Sequence, residues 1–228
     1  AIDDMSPAVR NPLWHWMASA IKLWVLLLVL SGLFGIYIKL SGSHTPWMDL
    51  IYELISAVVI LVALVQSWPL LHTKLKKNEI PIPLMGRDIF IGLIAIYVFM
   101  NLYFRLLGMM GIESISYLEH FQSQGWSFFS VIIMICIMPG IFEELAFRGV
   151  IMARLEKVSK PREALIIQAL MFSFLHLIPA VFISHFFIGL VLGIIRNRTR
   201  SLYPGMLLHA LWNFIVILEE HFRIGGLT

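Results

Sequence analysis

Glu143, Glu144, Arg148, His176, His209 and Asn213 have the types and spacing for hydrolytic chemistry. A carboxylate held away from bulk water is a competent base near neutrality. It can take a proton from a water placed between it and an imidazole. A second imidazole and a carboxamide N–H can donate to the oxyanion that forms when that water attacks a carbonyl. Amide hydrolysis needs those two functions together. The same carboxylates and imidazoles could instead hold a divalent metal such as zinc.

The spacings decide which side chains share a face. Glu144 and Arg148 are one helical turn apart and can pair, and His209 and Asn213 point the same way for the same reason. Glu143 is offset by one residue, about 100° around the helix, so one glutamate can be pinned by Arg148 while its neighbour faces the site. Other proteolytic designs are absent. The sequence has no His-Glu-x-x-His and no Gly-x-Ser-x-Gly. Of its aspartates, Asp3, Asp4 and Asp88 fall outside the apolar spans and Asp49 only at the outer edge of one, so no membrane aspartyl dyad can form. Cys136, the single cysteine, lies in an apolar run and reads as packing rather than as a nucleophile.

The elements that must position these groups are set by the solvent. Of the 228 residues, 59% are hydrophobic and 14% charged, where a soluble domain carries roughly a quarter charged residues. Apolar residues come in blocks long enough for membrane helices, which need ~20 residues each. The expected fold is all-α: a polytopic transmembrane helix bundle of about seven spans. They run over Ile21–Leu40, Met48–Leu71, Ile89–Leu107, Trp126 through Pro139-Gly140, Ala164–Pro179, Phe182–Ile195 and Leu202–Leu218. The spans after Trp126 are shorter, are interrupted by Pro and Gly, and hold the ionisable residues. Two parts follow: residues 1–125 as three accessory spans, and 126–228 as a catalytic core of four. The first span has no signal-peptide pattern and reads as an anchor. No basic patch with interleaved aromatics suggests nucleic acid as a partner.

Basic residues alternate between connections. Lys74, Lys76, Lys77 and Arg87 precede the third span. Arg154, Lys157, Lys160 and Arg162 precede the fifth, and Arg196, Arg198 and Arg200 the seventh. The connections between them lack such clusters. This pattern predicts a multi-pass protein of the cell membrane, N-terminus cytoplasmic and C-terminus outside. Lys39 and Arg105, at span ends on the outer side, are expected to snorkel. Trp14, Trp16, Trp47, Trp68 and Trp126 are expected as interfacial anchors, and Leu75–Arg87, with Pro81 and Pro83, as a surface loop.

Ionisable groups in hydrocarbon are functional candidates by default. Counting 1.5 Å per helical residue from the basic connections puts Glu143, His176, His185 and His209 at a depth of roughly 14–20 Å. A random scatter would not align them. His185 lacks a same-face partner and reads as an interhelical hydrogen bond. Glu53 and Asn101 are isolated.

Motifs add a family resemblance. Glu143-Glu144-Leu145-Ala146-Phe147-Arg148 fits Glu-Glu-x-x-x-Arg, and Phe172 to His176 fits Phe-x-x-x-His. Phe186 to Gly189 fits Phe-x-x-Gly, and His209 to Asn213 fits His-x-x-x-Asn. In that order the set resembles the CAAX protease and bacteriocin-processing family of intramembrane peptidases, over about Met138 to Asn213. The resemblance implies that Glu143 activates water with His176, that His209 and Asn213 form an oxyanion hole, and that Glu144 and Arg148 hold the constellation. It implies a membrane-anchored protein or peptide substrate in the lipid bilayer. The processing would be of the CAAX, sorting-tail or bacteriocin type. The family has been called both metallo- and glutamate-type. Arg148 beside the glutamates would repel a cation, so no cofactor is expected. A zinc alternative would use Glu143, His176 and His209. An ion-coupled transporter and a non-catalytic scaffold are the rival readings, and peptide cleavage separates them.

Overall fold

Apolar runs punctuated by Pro, Gly and basic clusters become a bundle of helices. The computed structural model describes residues 7–72, 82–112 and 116–222, with side chains from residue 13 onward. Among the described residues there is no strand, and the long helices are α1 (Pro7–Ser41), α2 (Pro46–Gln66), α3 (Ile82–Met109), α4 (Phe128–Leu155), α5 (Pro161–Leu175), α6 (Phe182–Thr199) and α7 (Tyr203–Phe222). Short helical turns, Trp68–Leu71 and Tyr117–Gln122, follow α2 and precede α4.

Proline sets several boundaries. Pro46, Pro83, Pro161 and Pro204 each sit in a first turn, where a missing N–H costs nothing. The start of α5 is also closed by Glu163, which accepts from the Lys160 backbone N–H at 2.9 Å. Pro83 corrects one expectation. The segment from Ile82 to Arg87 belongs to α3 and not to a surface loop. Lys74, Lys76, Lys77 and Pro81 lie outside the described residues, as do Asp3 and Asp4.

The chain is a helical membrane protein. Five stretches are long and apolar enough to cross a bilayer: Leu13–Ser41, Pro46–Gln66, Ile82–Met109, Phe128–Leu155 and Pro179–Thr199. The other two expected spans exist as helices but differ in kind. Helix α5 has 15 residues, about 22 Å, short of a hydrocarbon core of ~30 Å. Helix α7 has 20 residues, and His209, Asn213, Glu219 and Glu220 dilute its apolarity. Outward-facing apolar side chains such as Leu33, Val65 and Phe90 suit a lipid solvent.

One apolar core runs through the whole bundle. It takes Leu23 and Leu27 from α1, Ile60 from α2, Ile96 from α3, Phe147 and Val150 from α4, Phe172 from α5, Leu192 from α6 and Leu208 from α7. A second, smaller cluster joins Phe121, Met134, Cys136 and Ile217, and there Cys136 is a buried free thiol. Asn101 is satisfied within its own helix, donating to the Tyr97 carbonyl at 3.0 Å.

Buried charge ties the helix ends. Arg154 is not a loop charge. It leaves the end of α4 buried and donates to Ser67 Oγ at 3.0 Å and to the Ser19 carbonyl at 2.8 Å. Arg196 is likewise buried in α6 and forks onto both oxygens of Glu156, while Arg198 reaches Asp88 at 2.9 Å. A count of basic residues cannot separate a solvated cation from one consumed in packing. These pairs nonetheless gather the start of α3 and the ends of α4 and α6 at one end of the bundle.

Candidate active site

The site begins with the backbone of α4. Pro139 has no N–H to give to the Ile135 carbonyl four residues earlier, and its ring crowds that carbonyl. The preceding turn, Ile132–Ile137, is wound as a π-helix. A second π-helical stretch, Leu145–Ile151, follows the glutamates at once. Such insertions are frequent at functional sites because they re-aim side chains. The Ile135 carbonyl accepts from Asn213 Nδ2 at 2.8 Å, so the proline in α4 prepares the anchor for the asparagine of α7.

Gly140 lets those two helices meet. A Cβ there would stand 3.0 Å from the Ala210 Cβ and 3.2 Å from the Met206 carbonyl oxygen. The close approach brings the glutamates of α4 against His209 of α7. Arg148 Nη1 donates to Glu144 Oε1 at 2.8 Å, and both side chains are sealed from solvent. His209 Nδ1 donates to the same oxygen at 3.0 Å, and its Nε2 is 3.8 Å from Glu143 Oε2. The two glutamates differ as their helical offset requires: Glu144 is 1% exposed and Glu143 25%.

His176 and His185 flank the turn between α5 and α6. His176 caps α5, and the chain reverses through Leu177, whose φ is 55°, and the short Pro179–Val181 turn. Ser173 Oγ donates across the turn to the Phe182 carbonyl, and Gln168 Nε2 donates to the Gly189 carbonyl at 3.0 Å. The imidazoles of His176 and His185 pack with centroids 3.8 Å apart. Each Nδ1–H donates to a backbone carbonyl of its own segment, Phe172 at 3.0 Å and Val181 at 2.9 Å. Those bonds fix the tautomers and leave each Nε2 lone pair free.

Phe172 links the two halves. Its ring lies 5.1 Å from that of His176, 6.0 Å from His185 and 6.1 Å from His209, and the Arg148 guanidinium covers it at 4.3 Å. Glu143, Glu144, Arg148 and His209 therefore form one group bonded or paired through His209. Asn213 stands one turn beyond on α7, and His176 faces the group across Phe172. His185, read from sequence as an interhelical bond, instead bonds to the Val181 carbonyl of the turn just before its own helix and packs on His176. Its signal was its distance from His176 across a proline turn, because a tight helical hairpin pairs residues about equally far from the turn.

Glu143, His176 and His209 are the residues that would hold a metal, through a carboxylate and two Nε2 atoms, and the charge beside them weighs against a cation. His209 Nδ1 is taken by Glu144, and Arg148 supplies a fixed positive charge beside it. Among the described residues, the group that brings three such ligand atoms within 4.8 Å of one another is His44, Asp49 and His120.

Residues 125–215 match the model of the Rce1-like family, described as type II CAAX prenyl endopeptidase Rce1-like. The matched segment contains every one of the motifs between Met138 and Asn213 and bears out the resemblance they carry. It also contains all the residues just placed in the site. No curated protein and no solved structure matches the chain. The protein is a helical membrane protein with an Rce1-like, CAAX-protease-type segment, and because that family is one of proteases the match supports a peptidase.

Proposed function

We propose that the protein is a metal-independent intramembrane endopeptidase in which Glu143 activates the attacking water. The observation that carries this reading is the way His209 joins the two glutamates. Its Nδ1 is held by a carboxylate that Arg148 already fixes, and its Nε2 is aimed at the accessible one. Glu144 thus orients His209 as a buried carboxylate orients the histidine of a hydrolytic triad. With Nδ1–H given to Glu144, the Nε2 can donate to an oxyanion only as imidazolium.

In the reaction, water lies between Glu143 and the free Nε2 of His176 and loses its proton to Glu143 as its oxygen attacks the scissile carbonyl. The oxyanion takes hydrogen bonds from His209 and from the Asn213 N–H not used by Ile135. Glu143 then returns its proton to the leaving amine. Residues 126–228 supply this chemistry, and residues 1–125 are accessory to it. The substrate is a membrane-anchored protein or peptide with a CAAX-type, sorting-tail or bacteriocin-type cleavage site.

Purified protein should cleave a membrane-anchored peptide library, and Glu143→Gln should not. Full activity in Glu143→Gln would refute the mechanism. Absence of cleavage by the wild type across such a library would favour the scaffold or carrier readings. We further infer a cytoplasmic N-terminus and an external C-terminus from the basic connections. Labelling of Lys76→Cys from the cytoplasmic side is expected, and labelling from outside would reverse the topology.

A further inference from the structure

A second group of histidines and a carboxylate lies at the other end of α2 from Ser67 and Arg154. His44 is in the α1–α2 connection, Asp49 in the first turn of α2, and His120 in the short helix Tyr117–Gln122. His44 Nε2 is 2.7 Å from Asp49 Oδ1, and His120 Nε2 is 3.1 Å from Asp49 Oδ2. Both rings turn the same nitrogen toward one carboxylate, one to each oxygen, and they stack with centroids 4.1 Å apart. Phe34 holds the His44 ring edgewise at 6.2 Å, and Phe121 holds the His120 ring at 5.3 Å. The His44 backbone is fixed as well, because Gln124 Nε2 donates to its carbonyl at 3.0 Å.

We propose that His44, Asp49 and His120 form a binding site for a divalent transition metal of the zinc type, separate from the site around Glu143. Two neutral imidazoles and a carboxylate are a donor set that zinc accepts, with a fourth position left for water. Three donors at ~2.0–2.2 Å from a tetrahedral ion stand roughly 3.4 Å apart. The present 2.7 and 3.1 Å contacts run to different oxygens of Asp49, and one ligand atom from each residue already lies within 4.8 Å of the others, so rotation of the carboxylate and small ring movements bring them to that spacing. The protons balance without an external base. Each ring moves its proton from Nε2 to Nδ1 and gives the freed Nε2 lone pair to the ion, and Asp49 stays ionised. Partial exposure of all three side chains, 39% for His44, 20% for Asp49 and 21% for His120, gives the ion a path in and a place for its water.

The ion would clip the α1–α2 connection to the helical turn that leads into α4. Trp47 and Trp126 already meet beside it, with centroids 5.1 Å apart. Metal found in the purified protein would then belong to this clip, and its removal would loosen the entry to α4 without touching the water-activating residues.

The test is metal binding by tag-free, full-length protein in detergent, read by calorimetry with Zn²⁺ and by visible absorption with Co²⁺. One equivalent should bind saturably, and Co²⁺ should show the intense bands of a tetrahedral site. Asp49→Asn, and His44→Ala with His120→Ala, should weaken binding by ~10–100-fold or more. Glu143→Gln and His176→Ala should leave it unchanged. If the double histidine variant does not fold, Asp49→Asn and His44→Gln carry the test, since both keep side-chain size. The proposal is overturned if the wild type binds neither ion saturably, if binding survives loss of the ligands, or if it vanishes in Glu143→Gln. Because the readout is binding, failure here leaves the peptidase reading intact, and failure of cleavage leaves this site intact.

Discussion

Two clusters of histidine and carboxylate in one chain are wired differently. Around Asp49 the carboxylate is partly exposed and its ion pairs among the described residues are with two imidazoles. Around Glu144 the carboxylate is buried, and one of its oxygens serves both Arg148 and His209. The first arrangement has lone pairs to offer and, among the described residues, no Lys or Arg ion-paired to its carboxylate. The second has its carboxylate paired within the protein, which leaves Glu143 beside it as the more accessible one, the base in the proposed reaction. Residue type is nearly the same in the two places. Whether an arginine is within one helical turn decides what the imidazoles can do.

Exchanging the reactive groups should separate the clusters most sharply. Glu143→Gln keeps size and hydrogen bonding but removes the proposed base, so cleavage should fall ~10²–10⁴-fold, the range of general-base catalysis. His176→Ala should be nearly as severe. Asp49→Asn should leave turnover within a small factor when assayed at a temperature where both proteins are folded. Equal losses in Glu143→Gln and Asp49→Asn would mean that the clusters are not independent.

Removing the arginine should turn the buried cluster against the fold. Arg148→Met removes the guanidinium partner of the buried Glu144 and leaves it to His209 alone, for which a loss of up to ~3–5 kcal/mol is expected. The measurement is thermal unfolding in detergent, and adding Glu144→Gln should recover part of the loss. A melting temperature unchanged by Arg148→Met would show that the pair is not what holds Glu144.

How far the sequence foretold this contrast depends on the range of the interaction. The Glu144–Arg148 pair was legible because both partners lie on one turn of one helix. So was the difference in exposure between Glu143 and Glu144, which follows from ~100° per residue. Helix positions were legible from apolar runs, with ends shifted where Pro83 and Pro161 start helices earlier than hydropathy implies. Arg154 and Arg196 were misjudged as loop charges because their partners, Ser67, Ser19 and Glu156, come from other helices. The Asp49 cluster was invisible for the same reason. His120 lies 71 residues from Asp49, and no periodicity links them. The Asn213–Ile135 bond depends on a carbonyl freed by Pro139, which a side-chain motif does not record.

That bond bears on a smaller effect. Asn213→Ala removes the proposed oxyanion donor together with its hydrogen bond to the Ile135 carbonyl. Turnover should fall ~100-fold, as for a donor of this kind, with little change in KM. A rise in KM at constant kcat would place Asn213 in substrate binding instead.

The smallest expected effect tests whether Glu144 positions His209 or merely neutralises Arg148. A Cβ at Gly205 would stand 3.0 Å from Glu144 Oε2, the carboxylate oxygen that has no hydrogen-bond partner among the described residues. Gly205→Ala must push that oxygen aside by a few tenths of an ångström. The carboxylate then rotates, and Oε1 carries the His209 ring with it. Stability should change little, because alanine gains ~0.5–1 kcal/mol over glycine within a helix and this offsets a small steric cost. Turnover should nonetheless drop about ten-fold, which corresponds to ~1.4 kcal/mol of lost transition-state stabilisation. Zinc binding at the Asp49 cluster should be untouched. Comparison of kcat and melting temperature for wild type and Gly205→Ala decides the point. A variant with unchanged kcat would show that His209 tolerates movement of its partner, and Glu144 would then be a counter-ion to Arg148 and nothing more.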